Sequence, residues 1–288
     1  MAVKKYVPWY VKLTAKLFLS RLPFDYGIWR KVNLFVHGSM HKPDYAYGVF
    51  RQHFKRYHLT YKENGFVALE VGPGDSLLSA IVAAAHGARQ CYLVDVGAFA
   101  TQDLTVYHDM GSFLLQQNLS VPDVSGAKNV AEVLSSCHAT YLTKGIQSLH
   151  NISAESVDFV WSQAVLEHIY RQEFLDTLKE LRRILRPDGI CSHRIDLKDH
   201  LSGSLNNLRF SKSFWESDFI RRSGFYTNRI RYNDMLNYFE ITGFDVDVIK
   251  IDRWSELPIP RNKLSAEFRS LPEDDLLISG FDVVLTPR

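Results

Sequence analysis

Apolar and polar positions divide the chain into a helical opening and a long alternation of strands and helices. Residues 1–62 read as mainly helical and aromatic, with a loop near Gly38-Ser-Met-His-Lys-Pro43. Phe66–Val71 is a short apolar run ended by Gly-Pro-Gly, which suits a buried parallel strand. Ser76–His86 is apolar on most faces and closed by Gly87, the pattern of a buried helix with a glycine stop. Gln90–Val94 predicts a second strand, followed by a helix near Phe99–His108 and a long connection through Pro122, Asp123 and Gly126. Further strands are expected at Ala139–Thr143 and Val157–Trp161. Glu173–Leu185 is amphipathic, with Arg182, Arg183 and Arg186 at the end where the helix dipole favours cations. Pro187-Asp-Gly189 reads as a turn and Ile190–Ile195 as a strand. Tyr232–Thr242 predicts a helix stopped by Gly243, and Phe244–Ile251 and Leu277–Leu285 predict the final strands. The expected fold is α/β: a doubly wound, mostly parallel seven-stranded sheet with an antiparallel last strand and an N-terminal helical lid.

This pattern suggests residues 1–62 as the lid and 63–288 as one domain, with insertions at about 109–137 and 196–231 shaping a ligand pocket. A chain of 288 residues can bury a sizeable core. No apolar run approaches the roughly 18–20 residues of a membrane span, and the opening residues carry no secretory cleavage pattern. Cys91, Cys137 and Cys191 are far apart in sequence, as expected of free thiols in a reducing, cytoplasmic setting.

Charge sharpens the picture at one end. The net charge is +2, but residues 1–60 hold eleven Lys or Arg against Asp25 and Asp44, giving +9 there and −7 for the remainder. A basic stretch rich in Trp and Tyr can meet phosphate groups, an anionic membrane or nucleic acid, or can be a solvated face.

The first strand delivers Glu70-Val-Gly-Pro-Gly-Asp75, where Gly72 and Gly74 allow a tight turn and close approach of backbone to ligand. Ligands of such sheets sit at the carboxyl ends of the strands. A dinucleotide fingerprint would require a third glycine where Leu77 stands, and Glu70 suits a pyrophosphate badly. A second acid, Asp95, ends the next strand, where a carboxylate can accept both hydroxyls of a ribose. Two acids beside the turn favour an adenosyl ligand without phosphate.

Ala68-Leu-Glu-Val-Gly-Pro-Gly-Asp75, Tyr92-Leu-Val-Asp-Val96, Ser156–His168 and Leu181–Gly189 together resemble the class I S-adenosylmethionine-dependent methyltransferases of small molecules, over about 65–195. The resemblance implies S-adenosyl-L-methionine as cofactor, with Glu70, Gly72, Gly74 and Asp75 at its methionine end. It implies Asp95 on the ribose, Val96 on the adenine, and Ser162 and Gln163 facing the cofactor. Many relatives place an Asp after the third strand for the adenine amino group. Gly145 stands here, so adenine recognition is expected to rest on Ile146 and backbone groups, while Asp158 orders its strand end. Residues 190–240 are similar to a bacterial subgroup associated with surface polysaccharide biosynthesis.

Transfer to a hydroxyl requires a base with a pKa near neutrality, for which histidine is the natural candidate. His168 follows the fourth strand. His193 lies on the fifth, with Asp196 and His200 just after it. These four are the candidate catalytic residues, Asp196 as orienter or base. The His193-x-x-Asp196-x-x-x-His200 spacing also admits a metal, but no further acid or cysteine stands at ligand spacing, and none is expected. Asn228 and Arg229 are candidate substrate contacts, Arg229 as a clamp for phosphate or carboxylate. Base-amine methyltransferases resemble one another in an Asn/Asp-Pro-Pro-aromatic motif where this chain has Ser162-Gln-Ala-Val165, and it has no Pro-Cys nucleophile. A small-molecule or glycan acceptor, such as a sugar hydroxyl, is therefore expected over nucleic acid. Alternatives are a cofactor-binding protein without turnover, and an RNA or protein methyltransferase. The basic arm is expected to cover the acceptor site and to touch the inner face of an anionic membrane.

Overall fold

Strands alternate with helices as the apolar runs dictate. The computed structural model describes residues 8–19, 21, 39–60 and 65–288. Trp29, Gly38 and the expected boundary at residue 62 lie outside them. In chain order the main elements are α1 (Trp9–Leu19), α2 (Pro43–Thr60), β1 (Val67–Val71), α3 (Leu78–Ala85), β2 (Gln90–Val94), α4 (Leu104–Gln116), α5 (Val130–Ser136), β3 (Ala139–Leu142), α6 (Ile146–Leu149) and β4 (Val157–Gln163). They continue with α7 (Phe174–Ile184), β5 (Leu185–Asp196), α8 (Lys212–Trp215), α9 (Asp218–Arg221), α10 (Tyr232–Ile241), β6 (Phe244–Arg253), α11 (Ala266–Arg269), α12 (Glu273–Leu276) and β7 (Ile278–Pro287).

The seven strands form one sheet in the order β3-β2-β1-β4-β5-β7-β6. β1 through β5 pair in parallel, and β7 runs antiparallel between β5 and β6. The order reverses between β1 and β4, so the switch point opens at the carboxyl ends of these two strands. One face is covered by an apolar layer that includes Phe50 of α2, Ile81 of α3, Met110 of α4 and Val133 of α5. The other is covered by Phe174 and Leu178 of α7 and by Met235 and Phe239 of α10. All five residues of β1 are buried, as its unbroken apolar run requires for a strand covered on both faces.

Three features depart from the sequence pattern. The helix expected at Phe99–His108 begins at Leu104 and runs to Gln116. Asp103 caps it by accepting from the Thr105 N–H, while Phe99 and Thr101 are held in the preceding loop by the Tyr141 hydroxyl and the Asp75 carbonyl. Residues 109–137 accordingly carry the end of α4 and all of α5, two helices of the sheet's own layer. Around Pro187-Asp-Gly189 the β4–β5 pairing jumps from Val157↔Leu185 to Phe159↔Ile190, so the turn is looped out of a strand that starts at Leu185.

The N-terminal helices part company. α2 belongs to the sheet: Ala46, Phe50 and His53 are fully buried against it, and Arg56 pairs with Asp282 of β7 at 2.5 Å. α1 instead lies on the 200–226 segment, its Leu13 packed with Leu201, Trp215 and Phe225. Of the two helices, α1 is the one that packs away from the sheet. Asp158 accepts from the Val67 N–H at 2.7 Å and pairs with Arg186 at 3.2 Å, so it orders the strand starts, at the opposite edge from the glycine turn. The three cysteines are free and buried.

Candidate functional site

β1 ends in a turn that only glycine fits well. Gly72 has φ +72°, and a Cβ there would lie 2.6 Å from both γ-methyls of Val165, in the loop after β4. That clash places the glycine turn and the β4 loop in direct contact. The Gly72 N–H donates to the Val94 carbonyl at 2.8 Å, drawing the turn to the end of β2.

Asp95 stands at that junction. One carboxylate oxygen accepts from the Gly74 N–H at 3.0 Å and the other from the Val96 N–H at 2.7 Å. Its carbonyl accepts from the Gly145 N–H at 2.8 Å, which brings the end of β3 alongside. Gly145 has φ +53°, and a Cβ there would lie 3.2 Å from a Val96 methyl. Val96 is 77% exposed, an apolar side chain standing open at the strand ends, with half-buried Ile146 beginning α6 beside it. Tyr141 of β3 donates to the Gly97 carbonyl at 2.8 Å and fixes the following loop.

Glu70 lies deeper. It is buried and accepts a hydrogen bond from Ser79 of α3. Burial outweighs that bond and, with the Asp95 charge nearby, pushes its pKa to about 8. Asp75 is also buried, its carbonyl accepting from the Thr101 N–H.

At the end of β4, Ser162 and Gln163 each meet a histidine. The Ser162 hydroxyl lies 2.7 Å from His193 Nδ1, and Gln163 Oε1 lies 3.1 Å from His53 Nε2. Both histidines are fully buried, and desolvation lowers their pKa values, to about 3 for His193 and about 4 for His53. His193 therefore stays neutral inside the sheet and does not reach the rim. No local pattern singles out His53, which arrives from α2.

His168 and His200 do come together. Their Nε2 atoms are 3.0 Å apart and the rings stack at 4.7 Å. His168 Nδ1 lies 2.8 Å from the Tyr226 carbonyl, which can only accept, so Nδ1 carries the proton and Nε2 of neutral His168 accepts from His200. The orienting group is thus a backbone carbonyl. Asp196 instead accepts from the Lys198 N–H at 3.0 Å and pairs with the Lys198 ammonium at 3.4 Å. His193, Asp196 and His200 face different partners, and no trio of metal-ligating side chains occurs among the described residues.

Asn228 is a brace. Its amide donates to the carbonyls of Leu166 and Ile169 at 2.8 and 3.1 Å, its Oδ1 accepts from the Ile230 N–H, and its own N–H donates to the Glu167 carbonyl at 2.7 Å. These bonds clasp the short loop that carries His168. Arg229 is buried, its guanidinium 5.5 Å from the Trp215 ring and 5.1 Å from that of Phe268, donating to the Phe210 carbonyl at 2.7 Å. Arg231 is likewise buried, donating to the carbonyls of Asp275 and Ile278 at 2.7 Å each. These arginines hold the 196–231 segment from within.

Residues 69–192 match the family model described as a methyltransferase domain. No curated protein matches the sequence. Among solved structures, the chain is similar to phosphoethanolamine N-methyltransferase 2 of Haemonchus contortus in complex with phosphomonomethylethanolamine and S-adenosylhomocysteine. Identity is 15%, the TM-score 0.44, and the match covers 84% of this chain and 53% of that one. The YcgJ protein of Bacillus subtilis gives 14% identity and a TM-score of 0.44, over 82% of this chain and 97% of that one. An arsenic(III) S-adenosylmethionine methyltransferase of Chlamydomonas reinhardtii gives 17% and 0.42, over 77% and 62%. The chain thus spans about half the length of the first of these. The carboxyl group of Glu70 and the carboxylate of Asp95, with an open apolar side chain at Val96, could hold an adenosyl ligand that carries no phosphate. The match over residues 69–192 marks that stretch, from within β1 to within β5, as similar to a methyltransferase domain.

Proposed function

We propose that the protein methylates a hydroxyl group of a sugar or another small acceptor, with the His168–His200 pair as general base. The observation that carries this reading is the 3.0 Å contact between the two rings, on a loop whose Val165 abuts the Gly72 turn. His168 N–H donates to the Val165 carbonyl at 2.8 Å, so the ring stands one short turn from the cofactor's glycine loop.

When bound, S-adenosylmethionine supplies a methyl group on a positively charged sulfur. Gly72, Gly74 and Asp95 would hold the adenosyl ligand, with Val96 and Ile146 beside its adenine and Ser162 and Gln163 towards its methyl-bearing end. A hydroxyl acceptor placed there would take up the methyl group, and the histidine pair would receive its proton. Positive charge then spreads over two stacked rings, with the His168 Nδ1–H held on the Tyr226 carbonyl. Positioning supplies much of the rate, because sulfonium already activates the carbon. Asn228 acts by holding the 166–169 loop. The association with surface polysaccharide assembly belongs to this reading, and rests on the resemblance of residues 190–240.

The test is transfer of isotopically labelled methyl from S-adenosylmethionine to a pool of free sugars and methyl glycosides, followed by mass. Labelled ether is expected with wild type. His168→Gln should lower kcat by about 10²–10⁴, the usual worth of a general base, with S-adenosylhomocysteine affinity unchanged. Tight cofactor binding with no labelled sugar would leave a binding protein or another acceptor class in its place.

A further inference from the structure

We infer that α1 and the α8–α9 segment form one docking surface for an anionic lipid membrane. α1 buries Leu13 on the body of the protein, yet its outward side is also apolar: Val11 is 43% exposed and Phe18 69%. A helix apolar on both sides calls for an apolar partner on both. The patch continues onto the neighbouring segment at each end of α1. Arg21, just past the helix, sits 3.7 Å from the ring of Phe219, which is 49% exposed. At the other end Trp9 lies 6.1 Å from Phe210, whose ring is 5.2 Å from Phe214, itself 40% exposed.

Charge selects the occupant. α1 has two lysines and no acid. Arg21, Lys212 and Arg222 are exposed around the patch, while Asp218, the acid of α9, is paired with Arg221 at 2.5 Å. Two copies meeting face to face would oppose like charges across the interface, whereas an anionic bilayer supplies both the apolar phase and the counter-charge. No described helix is long and apolar enough to cross a membrane, so the helix lies in the surface.

Docking there connects to the histidine pair. Lys16 donates to the His200 carbonyl at 3.2 Å, and Leu13 packs with Leu201. The membrane-facing helix thereby braces the loop that carries His200. An acceptor displayed at a lipid surface would arrive on the same side as this pair.

The membrane proposal is independent of the acceptor's identity, so vesicle binding is measured without acceptor. Full-length protein should co-sediment with phosphatidylcholine vesicles containing one-third phosphatidylglycerol, and not with phosphatidylcholine alone. Raising the salt should release it. Val11→Glu combined with Phe18→Glu should weaken partitioning at least tenfold, with S-adenosylhomocysteine affinity unchanged as proof of folding. Equal recovery on both vesicle types, or on neither, would overturn the proposal. So would a wild-type dimer that the double variant dissociates, since a second copy would then be the occupant.

Discussion

His53 and Gln163 are joined by a 3.1 Å hydrogen bond, so a helix from the N-terminal region steers a side chain at the carboxyl end of the central strand. The bond has a defined polarity. Arg56 donates to the Ser192 hydroxyl at 3.0 Å, and that hydroxyl is 2.8 Å from His53 Nδ1, leaving its proton to point at the ring. His53 then carries its proton on Nε2 and donates to the Gln163 amide oxygen, which turns the amide nitrogen the other way. Burial holds the ring neutral, with its pKa lowered to about 4.

His53→Phe keeps a ring beside Trp161 and removes both bonds. S-adenosylhomocysteine affinity should fall about two- to tenfold, the worth of roughly one hydrogen bond. Titration calorimetry on His53→Phe, Gln163→Ala and the double variant gives the coupling between them. Additive losses would mean that His53 does not position Gln163.

Asp95 holds the glycine turn, and the proposed adenosyl ligand would meet the same carboxylate. Both carboxylate oxygens already accept backbone N–H groups, from Gly74 and Val96, which presents the same group to a ribose in a fixed orientation. Asp95→Ala should weaken S-adenosylhomocysteine binding by at least ~1.5 kcal/mol, the loss of a hydrogen bond to a charged group. Asp95→Asn keeps one oxygen acceptor and should fall between wild type and alanine. Calorimetry that finds the alanine variant binding as tightly as wild type would remove Asp95 from the ribose.

Gly72, Gly74 and Asp95 were legible because their signal is local: apolar runs that end in glycine and acid announce the carboxyl ends of buried strands. β2 falls on the expected Gln90–Val94, since each of its boundaries is set by near neighbours in sequence. The start of α4 was also written locally, in Asp103 as a cap, but the apolar residues from Phe99 concealed it. His53 and the Tyr226 carbonyl were not legible. They act across 110 and 58 residues, through contacts that exist only after the sheet has formed. The burial of Arg229 was not legible for a related reason. Spacing shows a cation but not whether an aromatic cage and inward-facing carbonyls will take it inside.

Glu167, next to His168, gives the fold a measurable dependence on pH. Its carboxyl is buried, with Oε1 accepting from the Asp196 N–H at 3.1 Å, and burial pushes its pKa from 4.5 to about 8. Between those values the unfolded chain releases a proton that the folded chain keeps. Stability from this group is therefore fully present below pH 4.5 and is lost as pH rises to about 8, after which both states are ionised. Glu167→Gln retains an oxygen to accept the Asp196 N–H and cannot ionise. Any cost of burying its amide nitrogen is the same at every pH. The neutral histidines His53 and His193 lose stability in the acid direction, but they are common to both proteins and cancel in the comparison. Urea unfolding at steps from pH 5 to 8.5 should show wild type losing ground to the variant, at up to ~1.4 kcal/mol per pH unit. Curves that run parallel throughout would show that Glu167 titrates alike in both states, and that water reaches it in the fold.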